Sequence, residues 1–105
     1  MGADDDLQGL LDSLDPTTRT LVAEVDLGQQ AREFAESELG RYVVGCAHQE
    51  IADAHRALKT CAAWRRRRIQ ELQNRIWRAE SLLLWLRDLI EAGRSAGQTI
   101  EEVEQ

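Results

Sequence analysis

Proline occurs once in this chain, at position 16, and phenylalanine, tyrosine and methionine once each. A single proline leaves almost the whole length free of the strongest helix breaker. The second half is also poor in β-branched residues, which removes the case for a sheet. Cysteine appears only as Cys46 and Cys61, roughly 22 Å apart if one helix carries both, too far for a disulfide. Structural, reduced thiols of a cytoplasmic protein are expected. No apolar run approaches the roughly 18 residues a membrane span needs, and the N-terminal residues are acidic where a secretory leader would be basic. Neither a membrane segment nor a leader is expected.

Catalytic and metal-binding signatures are missing as well. The chain contains no glycine-rich phosphate loop, no nucleophile elbow and no Cys–His arrangement with an orienting neighbour. His48 and His55 lie seven residues apart, so on a helix they project in one direction about 10 Å from each other. One metal ion needs ligands three or four apart, and no cysteine or acid completes a set at this spacing. The expectation is a non-enzymatic protein with no cofactor and no metal.

What the chain does have is charge, tryptophan and helical periodicity. Charged residues make up 30% and three of the five aromatics are Trp, which argues for an ordered helical protein rather than a disordered one. A length of 105 residues suits one domain, marginal if it folds alone because short chains bury a smaller share of their surface. The net charge of −6 is unevenly spread: residues 1–39 hold ten acids against Arg19 and Arg32, whereas residues 61–79 hold six arginines against Glu71. Such polarity favours docking between unlike patches, and the acidic balance makes a poor general nucleic-acid binder.

Residues 62–90 hold the clearest pattern. Ala62, Ile69, Leu72, Ile76, Ala79, Leu83, Leu86 and Ile90 step by three and four, with one interruption at Arg65, the stripe a helix buries against another helix. Of these, Ile69, Leu72, Ile76, Leu83, Leu86 and Ile90 are the expected core of a helical hairpin. Trp77, Leu82, Leu84, Trp85 and Leu89 cover most of the remaining circumference. One partner helix covers one stripe only, so these five are the candidate oligomer or partner interface, Trp being enriched among residues that dominate binding. Packing of the tryptophans under N-terminal helices is the competing reading.

The other boundaries are read from capping chemistry. Residues 3–14 place Leu7, Leu10, Leu11 and Leu14 at helical spacing behind Asp4, Asp5 and Asp6. This predicts a short amphipathic arm with acids where the helix dipole favours them, its leucines docking into a groove of a neighbouring subunit or partner. Asp15–Pro16 reads as an N-cap followed by proline at the first helical position, although Thr17, Thr18, Thr20, Val22 and Val25 are poor helix formers and Gly28 can interrupt the helix. From Gln29 to about Lys59 the spacing is helical, with Ala31, Phe34, Ala35, Leu39, Tyr42, Cys46, Ile51, Ala54 and Leu58 near one stripe. Gly40 and Gly45 inside it predict close approach of a neighbouring helix, or a bend. The reversal is best placed at residues 60–63, although no Gly or Pro marks it, and one long unbroken helix is the alternative. A third helix from about Ala63 should stop at Gly93, and Thr99 with Glu102 forms a capping box for a last turn. The expected division is an arm over 1–15, a hairpin domain over 16–93 and an acidic tail over 94–105.

The run of arginines at 65–68 points around most of a helix and does not form one phosphate-tracking stripe. Arg68 and Arg75 share a face and are the candidate phosphate contacts. Glu71 is placed to pair with Arg67 and Arg75 at i,i+4.

The segments ELGRYVVG (38–45), AWRR (63–66) and LQNRIWRAES (72–81), with Trp85 and Leu86, resemble a family of small helical proteins encoded by tailed bacteriophages and prophages. The resemblance covers just over half the chain, and the 72–81 run is its most specific part. Cys46 and Leu83 depart from the pattern, which has a polar residue and an aromatic there. The resemblance implies a phage product encoded among head and packaging genes, found in the virion or host cytoplasm, and no particular reaction, ligand or site. The expected fold is all-α: a long antiparallel, coiled-coil-like helical hairpin with a short N-terminal amphipathic arm, oligomerising. The expected function is a non-enzymatic interaction protein of the virion or its assembly machinery, with itself and other phage proteins as partners and no membrane. The alternatives are a DNA-packaging factor of the small-terminase kind, for which no separate helix-turn-helix precedes the hairpin, and a small acidic inhibitor of a host protein.

Overall fold

The computed structural model describes Gly9 and residues 15–104. The predicted arm over residues 3–14, with Leu7, Leu10, Leu11 and Leu14, lies outside the described residues. Among those described the chain is all-helical, in three helices: α1 (Pro16–Glu36), α2 (Glu38–Thr60) and α3 (Arg66–Glu104). None of them is long and apolar enough to cross a membrane.

Asp15 caps α1 as its sequence suggests. One carboxylate oxygen accepts from the Thr18 backbone N–H at 2.8 Å and the other from the Thr18 hydroxyl at 2.9 Å. These bonds to the Thr18 amide and hydroxyl hold the carboxyl below its usual range, because they favour the charged form. The threonines and valines that follow do not stop the helix, and Gly28 does not interrupt it.

The break comes instead at Ser37. Its hydroxyl oxygen accepts from the Gly40 backbone N–H at 3.0 Å and donates to the Phe34 carbonyl at 2.6 Å. With extended backbone at φ −71° and ψ 162° it is the N-cap of α2, a serine diverting backbone groups from the continuing ladder. The expected single helix over 29–59 is therefore two. Gly40 belongs to this bend rather than to a helix–helix contact: a Cβ there would meet the Phe34 carbonyl oxygen. Gly45 has nothing within 4 Å of where a Cβ would stand, so no neighbouring helix approaches it.

The break between α2 and α3 falls at residues 61–65, with the Cys61 N–H bonded to the Leu58 carbonyl at 3.3 Å. Glu38 in the first turn of α2 and Lys59 in its last both suit the helix dipole. The predicted stop at Gly93 does not occur, and Thr99 is interior to α3, its hydroxyl donating to the Ser95 carbonyl at 3.0 Å rather than capping a new turn.

The described residues form two compact units. One contains residues 34–87. Here α2 presents the seven-spaced residues Gly40, Ala47 and Ala54 as its buried positions. Ala54, Leu72 and Ile76 form the buried cluster, with Ile51, Ala57 and Leu58 packed against it. Leu72 is 1% exposed and Ala79 also buried. On α2, Ala47 and Ala54 let the larger side chains of α3 approach closely, and Glu50 and Arg78 tie the helices across the rim at 3.2 Å.

The second unit joins residues up to Glu33 with residues from Asp88 onward. Its contact runs backbone to backbone. A Cβ on Gly28 would lie 2.8 Å from Gly93 Cα and 2.8 Å from the Leu89 carbonyl oxygen, and one on Gly93 2.9 Å from the Glu24 carbonyl oxygen. Ala31 and Ala96 are buried in the same unit. Gly93 lies inside α3, and a larger residue there would clash at this crossing, so glycine here marks proximity rather than an end.

Candidate interaction surface

Within residues 34–87 the apolar seam of α3 faces α2, and the tryptophans turn away from it. Leu72, Ile76 and Ala79 are buried, while Ile69, Leu83 and Leu86 are half-buried. Trp77 and Trp85 are 67% and 66% exposed, and Leu84 42%. Seven- and eight-residue steps from Trp77 to Leu84 and Trp85 put the three on one side of the helix, away from the seam. Within residues 34–87, α2 does not cover these tryptophans.

Leu82, grouped by sequence with the tryptophans, is half-buried. It lines a recess of about 240 Å³ with Val43, Ala47 and Ala79, so its apolar surface is partly used by α2. In the other unit Leu89 is 39% exposed and Ile90 half-buried.

On α2 the structure corrects the expected stripe. Leu39 and Tyr42 are 64% and 71% exposed and Cys46 is exposed, not buried. The new start at Ser37 sets the buried phase by Gly40, Ala47 and Ala54, and that phase leaves Leu39, Tyr42 and Cys46 on the outside. The signal was a serine three residues ahead of a glycine amide, followed directly by an acid. Both cysteines are free thiols.

The basic end divides in two. Arg68 and Arg75 both pair with Glu71, at 3.4 and 3.1 Å. The expected Glu71–Arg67 pair is replaced by Glu71–Arg68, because the i,i+3 side chain lies on the same flank as Arg75. Arg65, Arg66 and Arg67 are exposed in or just after the turn, next to Trp64, which is 81% exposed.

Arg68 and Arg75 also line a groove of about 510 Å³ between α2 and α3. Ala54, Ala57 and Leu72 form its apolar floor, Glu50 and Asp53 one edge, the two arginines the other, and Cys46 marks one end. No group of three or more His, Cys, Asp or Glu among the described residues is placed to hold a metal ion. Chemically, then, the surface offers apolar docking and charge pairing.

Comparison with protein-family models, curated proteins and solved structures finds no match to the chain in any of the three.

Proposed function

We propose that this chain is a non-enzymatic, self-associating interaction protein, built as a long antiparallel helical hairpin of coiled-coil type. One observation carries the reading: Trp77, Leu84 and Trp85 stand on solvent on the side of α3 that α2 does not cover. Large apolar side chains exposed together on one helix face suit an interaction site. The aromatic content suits the anchor residues that dominate such interfaces.

The sequence resemblance extends the proposal to a component of a tailed-phage particle or of its assembly machinery, with other phage proteins as further partners. Particles of the phage or induced prophage that encodes the chain provide the test. Mass spectrometry of purified virions is expected to detect it at a stoichiometry comparable to neck or tail components. Particles free of it, with the chain left in the lysate, would remove the virion component from the reading.

A DNA-packaging role is the second reading, favoured by the exposed Trp64 beside Arg65, Arg66 and Arg67. Aromatic and cationic side chains together are what nucleic-acid surfaces use. The overall charge of −6 opposes it. Duplex binding weaker than about 10 μM at physiological salt fits the first reading, and submicromolar binding with a steep salt slope would promote the second.

A further inference from the structure

The groove of about 510 Å³ between α2 and α3 lies over the buried Ala54 and Leu72, with half-buried Ala57 supplying apolar surface, between an acidic edge and a basic edge. A groove of this form accepts an amphipathic helix, whose apolar stripe lies on the floor while its charges meet the edges. Its length follows α2 from Cys46 to Ala57, about 16 Å at helical rise.

One segment of the chain outside the described helices matches it. Residues 3–14 carry Leu7, Leu10, Leu11 and Leu14, and as a helix they span about 18 Å. At 100° per residue the four leucines share one face, Asp4 and Asp6 flank it, and Asp5 and Asp12 fall on the opposite side. Charge complementarity sets the direction. The acidic lead belongs at the Ala57 end, where Arg68 lines the groove and Arg65, Arg66 and Arg67 stand exposed. Residues 13 and 14 then reach Cys46, and Asp12 points away from Glu50 and Asp53.

We infer that residues 3–14 of one copy dock as a helix in the groove formed by Ala54, Ala57 and Leu72 of a second copy, acids toward the arginine-rich turn. This rests on the self-association reading and names its contact. The chain is thereby its own partner twice over, through the tryptophan face and through the arm.

Cys46 reports on this contact because it is exposed at the groove end. Full-length Ser13→Cys, in an equal mixture of ¹⁴N- and ¹⁵N-labelled chains, is oxidised mildly and digested for mass spectrometry. A disulfide between positions 13 and 46 is expected, about half of it of mixed isotope, with Cys61→Ser leaving it intact and Ala3→Cys failing to form it. No 13–46 disulfide, one confined to a single chain, or one formed equally from position 3 would overturn the inference. In the unsubstituted chain, modification of Cys46 by a bulky maleimide should accelerate about tenfold on dilution to the monomer, with Cys61 unchanged; an unchanged Cys46 rate would also overturn it. Sedimentation of the same samples separates the two failures. An oligomer lacking the 13–46 link overturns only the docking, whereas a monomer removes the self-association reading as well.

Discussion

Replacing Gly28 by alanine is a test whose sign, not only size, depends on the packing described above. In a helix interior, glycine to alanine normally stabilises by about 1 kcal/mol, since alanine loses less backbone entropy. At Gly28 the added methyl would stand 2.8 Å from both Gly93 Cα and the Leu89 carbonyl oxygen. Both are backbone atoms, so relief requires moving a helix rather than rotating a side chain. Overpacking of this kind costs about 1–3 kcal/mol, and with two backbone contacts the upper part of that range applies. The balance is a net loss of about 1–2 kcal/mol. Gly45→Ala is the internal control, because nothing lies within 4 Å of its Cβ position; it should gain about 1 kcal/mol. For a domain of this size each kcal/mol moves Tm by about 5 °C. Thermal and urea melts followed by circular dichroism should therefore show Gly45→Ala above and Gly28→Ala below the parent chain. A Gly28→Ala variant stabilised as much as Gly45→Ala would refute the close crossing of Gly28 with Gly93.

Three further outcomes follow from single residues. Leu72→Ala should lower stability by about 2–5 kcal/mol in urea melts, since Leu72 is 1% exposed at the centre of the α2–α3 cluster; a loss below about 1 kcal/mol would show that cluster to be loose. Ser37→Ala should cost about 1 kcal/mol and weaken protection of the Gly40 amide in hydrogen exchange, because the hydroxyl oxygen that accepts from it at 3.0 Å is gone. Asp15 has a lowered pKa through its bonds to Thr18, so its contribution is full above the ordinary carboxylate range and is lost as pH falls through the lowered value. The Thr18 amide should shift in NMR spectra over that acid range, and Asp15→Asn should abolish the titration.

The elements read correctly from sequence are those whose signal is local. Asp15 before Pro16 declares an N-cap, and Leu72, Ile76 and Ala79 declare a buried stripe, because capping and periodicity act within one or two turns. The break at residues 61–65 overlaps the stretch 60–63 where the sequence placed a reversal, although no Gly or Pro marks it and one unbroken helix was the alternative. Glycine was misread in both directions. Gly93 looked like a helix stop and Gly28 like an interruption, yet both lie inside helices and are glycine where each packs against the other. A contact between positions so far apart in sequence leaves no mark on the neighbours of either one. Gly40 and Gly45 looked alike in sequence, but one sits against the Phe34 carbonyl and the other faces open space. Ser37 was overlooked because its cap faces the Gly40 amide rather than a Glu or Gln at that position, and the missed break displaced the buried stripe of α2. For the candidate surface, the outward set of Trp77, Leu84 and Trp85 was legible as apolar residues off the seam. The inward lean of Leu82 toward Val43 and Ala47 was not, since it depends on how closely the alanines of α2 let α3 approach.

The central claim is that the tryptophan face is covered by another copy of the chain, and sedimentation velocity over about 1–100 μM tests it most directly. The parent chain, of 11.9 kDa, is expected to sediment as a multiple of that mass. Trp77→Asp with Trp85→Asp, both on exposed positions, should shift it to a smaller species, joined at most by the arm contact, with its helical circular dichroism retained, since neither side chain serves the buried seam. A parent chain that stays monomeric and thermally stable across the whole range, or a doubly substituted chain that assembles as the parent does, would contradict the account.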